Sequence, residues 1–106
     1  MKQVLQVENH TDAQGNPAGG HVFGDGLQIV WQNGPLQRGN ERRAPNGAFV
    51  EGVIQAAISR LRFYQESKFA SEHNENALAY LEAALAELEA RTAEREARGV
   101  EGTHNV

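Results

Sequence analysis

Leu78, Leu81, Leu85 and Leu88 fall at steps of three and four within Glu75–Thr103, the longest helical signal in the chain. The same steps continue to Thr92 and Arg95, so a stripe that begins as core ends polar and basic. Ser71 is the expected N-cap of this helix, which runs to about Arg98 with Gly99 at the C′ position. Upstream, Val50, Val53, Ile54, Ala57, Leu61 and Tyr64 follow at helical spacing, flanked by Phe49 and Phe63. They predict a first helix nearly as long, capped by Asn46 and ending at about Gln65–Lys68. A connection of about Phe69–Ser71 makes the pair an antiparallel hairpin.

The N-terminal part alternates instead. Lys2–Val7 reads as a short strand, and His10–Gly20, dense in Gly, Asn, Asp and Pro, as a turn or loop. His21–Gln32 reads as strand, bulge or tight turn at Gly24-Asp25-Gly26, then strand. Asn33–Asn46 is a polar loop of a length that points to function or disorder, and it carries Arg38, Arg42 and Arg43. The expected fold is α+β: a small N-terminal antiparallel β region with its loop over residues 1–45, then a long α-helical hairpin with a short tail over 46–106. The whole is one domain, and Val100–Val106 has no periodicity of its own.

With 106 residues, two helices and a few strands build a thin core, which favours oligomerisation. No run of eighteen apolar residues is present, and no apolar segment follows Lys2, so neither a membrane span nor a signal peptide is expected. The chain has no cysteine, which excludes disulfides and thiolate chemistry. A formal charge of −4 argues against DNA, yet eight of the ten basic residues are arginine, whose planar fork suits phosphate. A small anionic ligand fits that balance better than a nucleic-acid duplex.

Arg91, Arg95 and Arg98 stand at i, i+4 and i+7. Pairing with a glutamate four residues earlier accounts for Arg91 (Glu87) and Arg98 (Glu94), but the residue four before Arg95 is Arg91. Arg95 also lies on the leucine seam, so it is expected to face protein or a pocket. Phe63 and Tyr64 are either core or a stacking platform for a base. Asn74 is either part of the cap or a partner for a base edge. The four histidines have no metal-ligand spacing, and no cofactor is expected. Glu72 and Glu75 form one pair of the kind that holds magnesium in all-α pyrophosphatases, but the first helix offers only Glu51 and Glu66 to face it. No Ser-His-Asp set, G-x-G-x-x-G or P-loop is present, so catalysis is not expected.

The segments GDGLQIVWQNGPL, APNGAFVEGVIQAAISRLRFYQESKFASEHNENALAYLEAALAELEART and RGVEGTH together resemble the phage Thoeris anti-defence proteins of the first type. Their helical hairpin is shared with the second anti-CBASS protein. The resemblance covers about Gly24–His104, and FAxxxN and RTxxRxxRGVEGT are its most specific parts. It implies a sponge, active in the host bacterial cytoplasm, that binds without cleaving the cyclic ADP-ribose isomer made by TIR-domain NADases. It also implies dimers that assemble further into hexamers, with cyclic oligonucleotides taken by some members at separate sites. By the same resemblance the ligand residues are Tyr64 (or Phe63), Asn74, Arg91 and Arg95, with one of Arg38, Arg42 and Arg43. A second nucleotide site would involve Arg98, Gly99 and Thr103. Ser71 stands where the family usually has cysteine, and the β region is short. The aromatic and amide groups lie roughly 25 Å from Arg91 and Arg95 on helix rise, so they meet only between two chains.

Overall fold

A computed structural model describes Met1–Val106 and divides the chain into two compact units. The first comprises residues 1–49 with 100–106, and the second residues 50–99. The architecture is the expected α+β one, a three-stranded antiparallel sheet followed by two helices. The tail, expected to go with the hairpin, belongs to the first unit.

In that unit β1 (Gln6–Thr11), β2 (Pro17–Gly24) and β3 (Leu27–Val30) form a meander in the order β1-β2-β3. The first strand is therefore not Lys2–Val7, and His10–Gly20 is not a loop. The turn is only Asp12–Asn16, closed by the Asp12 carboxylate, whose Oδ1 accepts from the backbone N–H of Gln14 (2.9 Å) and Asn16 (2.9 Å). That turn fixes a register pairing Gln6 with Phe23 and Asn9 with Gly20, which carries the polar run Glu8–His10 into β1. Gly20 is a strand glycine: at φ 133° a Cβ there would collide with the Glu8 carbonyl oxygen. β2 and β3 join through the two-residue turn Asp25-Gly26, the tight-turn form of the expected hairpin.

The chain then returns beside β3. The Gln32 N–H donates to the Ala48 carbonyl (3.0 Å), and the Ala48 N–H to the Val30 carbonyl (2.7 Å). Asn46 is thereby diverted from capping a helix. Its Oδ1 accepts the Asn33 N–H (2.8 Å) and its Nδ2 donates to the Asn33 carbonyl (2.9 Å), closing the base of the Asn33–Asn46 loop. Within the loop Gly39–Glu41 form a 3-10 turn, and the Arg43 N–H donates to the Leu36 carbonyl (2.7 Å). The loop has internal structure.

The second unit is the hairpin of α1 (Val50–Gln65) and α2 (Glu72–Ala97). The first helix is the shorter, 16 residues against 26. The Ser71 Oγ accepts the Asn74 N–H (3.0 Å), the expected N-cap. Gln65 closes the connection, its amide donating to the Ser71 carbonyl and accepting the Ser71 N–H, both at 3.0 Å. Gly99 takes φ 75°, as a C′ glycine does. The seam of α2 is present along its length: Leu78 is buried, and Leu81, Leu85, Leu88, Thr92 and Arg95 are half-buried. On α1 the facing stripe is Glu51, Ile54, Ile58, Leu61 and Gln65. Ala57, expected inside, is exposed, and the neighbouring Ile58 is buried in its place, since the larger side chain gains more from the contact.

Candidate functional site

The connection end of the hairpin gathers Phe63, Tyr64 and Asn74. Phe63 is 54% exposed, while Tyr64 is half-buried at the edge of the α1 seam. Their ring centroids are 6.3 Å apart with planes tilted by 58°. Asn74 has its N–H in the cap, and its Nδ2 donates to the Phe69 carbonyl at 3.3 Å, so part of the side chain steadies the connection. Its Oδ1 accepts no hydrogen bond from the protein and is the atom left for a ligand donor.

Sequence reasoning missed one member of this group. The Arg60 guanidinium carbon lies 4.9 Å from the centroids of both Phe63 and Tyr64. The cation is thus shared by two π faces. The signal was present, since Arg60 precedes the two aromatics by three and four residues, the spacing that brings helical side chains together.

Arg91 and Arg95 lie at the other end of the hairpin. For Arg91 the sequence leaves open a pairing with Glu87 or a ligand role. Its Nη2 is 3.8 Å from the Glu51 carboxylate at the start of α1, because the crossing helix offers a half-buried acid. Arg98 pairs with Glu94 at 2.6 Å, one of the two roles its spacing allows. Arg95 is half-buried on the seam. Tyr64 lies 13 positions beyond Glu51, which is about 20 Å of helix rise. One hairpin therefore does not bring Tyr64 and Asn74 together with Arg91.

In the first unit the loop arginines divide into two kinds. The Arg42 Nη1 is 2.7 Å from the Glu101 carboxylate and also donates to the Gln37 carbonyl at 3.1 Å. The Arg38 Nη1 donates to the Glu101 carbonyl at 3.1 Å, and the Gln37 N–H donates to the Gly102 carbonyl at 2.7 Å. Arg38 and Arg42 thus hold the tail on the loop, each through one terminal nitrogen and with its side chain partly exposed. Arg43 has no carboxylate partner. Of the other tail candidates, Thr103 donates its hydroxyl to the Val100 carbonyl at 2.6 Å, a turn-forming role. Glu101, the anchor of this arrangement, gave no signal in the sequence because its partners lie some sixty positions earlier.

A groove of about 480 Å³ runs along the hairpin over Ile58, Leu85 and Ala86 and reaches Phe63. Glu66, Glu82 and Glu89 line it with a single arginine, Arg62, which is itself paired with Glu82 at 2.7 Å. That acidic rim disfavours a phosphate. No protein-family model matches the sequence, and no curated protein matches it.

Proposed function

We propose that the protein is a phage anti-defence sponge. It binds and sequesters, without cleaving, a cyclic ADP-ribose isomer (glycocyclic ADP-ribose) made by Thoeris TIR proteins. It works as a homo-oligomer, a dimer at least, with the hexamer as a trimer of dimers. The observation that carries this is the division of the hairpin into two chemically complementary ends. One end has an aromatic pair and an amide, and the other has Arg91 and the seam residue Arg95. An adenine asks for an aromatic face, and a diphosphate asks for arginine forks. Two hairpins packed antiparallel join those ends into complete sites, so binding and dimerisation are coupled.

The test is to mix the protein with the signal, measure the loss of free signal, then heat-denature and recover it. The signal is expected back unchanged, and a cleaved product would replace sequestration with catalysis. Arg95→Ala, folded and still dimeric, is expected to lose about tenfold or more in affinity, the scale of a charge-assisted hydrogen bond. Unaltered affinity would sink the assignment. The Arg38–Arg42 pair beside the tail favours a second reading, in which cyclic di- or trinucleotides of CBASS are held at the RGVEGT end. Independent sites predict no displacement of one ligand by the other in competition calorimetry.

A further inference from the structure

We infer that Arg60 is a phosphate-binding residue of the aromatic end, so that one turn of α1 offers both a stacking face and a cation to a ligand that joins an aromatic ring to a phosphate. The other arginines of the hairpin with a defined ion-pair partner are matched to carboxylates: Arg62 to Glu82, Arg91 to Glu51, Arg98 to Glu94. Arg60 has no such match. The positions three and four residues away on its own helix are Ala56, Ala57, Phe63 and Tyr64, so in an acidic chain the sequence surrounds this cation with neutral side chains.

Its setting is specific. With the guanidinium carbon 4.9 Å from both ring centroids, the cation is held in the angle between Phe63 and Tyr64. A ring face is not a hydrogen-bond acceptor of the ordinary kind, so a cation held beside it still has N–H donors to offer. Arg60 donates no hydrogen bond within the protein, and the side chain is exposed, so the whole fork remains for an outside acceptor. Lys68 repeats the pattern at the connection, its Nζ lying 5.3 Å from the centroid of Phe69, a ring that is 67% exposed. Proteins that bind single-stranded nucleic acid combine exposed aromatic rings, on which bases stack, with cations that take the phosphates.

This deepens the sponge proposal and rests on it only in part, since cyclic ADP-ribose is one ligand of that class. The test is calorimetry of the full chain with ADP and with adenosine, in wild type, Arg60→Gln and Arg60→Lys. Wild type is expected to prefer ADP by about tenfold, the scale of one charge-assisted hydrogen bond. Arg60→Gln should lower that preference by about tenfold while adenosine binding stays as in wild type, and Arg60→Lys should lower it less. No preference in wild type, an unchanged preference in Arg60→Gln, or an equal loss for both ligands would each overturn the inference; the last would mark Arg60 as a support for the rings alone. Uptake of the cyclic ADP-ribose isomer by the same proteins separates the two proposals. An Arg60-dependent preference for ADP without uptake of the isomer overturns the sponge alone, and uptake that Arg60→Gln leaves untouched overturns only the role of Arg60.

Discussion

At Ser71 a single hydroxyl starts α2, accepting the Asn74 N–H while the main chain is held by Gln65. Ser71→Ala is expected to cost about 1 kcal/mol, read as a lowered thermal midpoint. Asp12 does comparable work in the first unit. Its carboxyl is held below the ordinary value of 3.8, chiefly by the Asn16 N–H and further by the Asn16 side chain and the Gln14 N–H, with burial opposing. A group whose pKa is lowered on folding contributes stability that is complete above its unfolded value and is lost as pH falls through the folded one. The Asp12–Asn16 turn should therefore loosen only on the acid side of 3.8, seen as faster amide exchange at Gln14 and Asn16, and Asp12→Asn should remove that dependence. Arg60 belongs at this scale too. Its spacing to Phe63 and Tyr64 was readable, but its lack of a carboxylate partner required the fold.

Among the elements, α2 was the most legible, because a seam at steps of three and four has one helical solution and a serine and a glycine mark its ends. Arg95 was readable on that seam for the same reason. On the stripe of α1, Val53, Ile54, Leu61 and Tyr64 are half-buried, whereas Val50 and Ala57 are exposed; Ala57 and Ile58 both fit a helical period, and only the facing helix chooses between them. The strands were less legible. Gly19 and Gly20 look like turn residues, yet they lie in β2, where Gly20 lets the backbone pass close to Glu8. Asn46 had the chemistry of a cap but found a nearer partner in Asn33. The helical elements also hold the only two buried side chains, Ile58 and Leu78. Replacing either with alanine is expected to cost about 2–4 kcal/mol, measured by denaturant unfolding, because no other buried contact takes up the loss.

For the molecule as a whole, two buried side chains are few, and Phe63, Phe69 and Tyr80 (76% exposed) leave large rings in water. No helix is long and apolar enough to cross a membrane. If the chain completes itself by self-association as proposed, its thermal midpoint should rise with protein concentration. A midpoint constant across a hundredfold dilution, about the span needed to resolve mass action, would count against an oligomer that forms within it. Nothing in the sequence announced that the tail closes the first unit, because Glu101 meets Arg38 and Arg42 only after the whole hairpin has intervened.

That closure has a consequence for how the protein is made. Translation delivers the sheet and its loop first, then both helices, and only afterwards the residues that fasten the loop. The hairpin, whose contacts are local, can form while Arg38 and Arg42 still lack their carboxylate. The arginine loop is therefore the last feature to be set, because Glu101, the residue that fastens it, follows both helices in the chain.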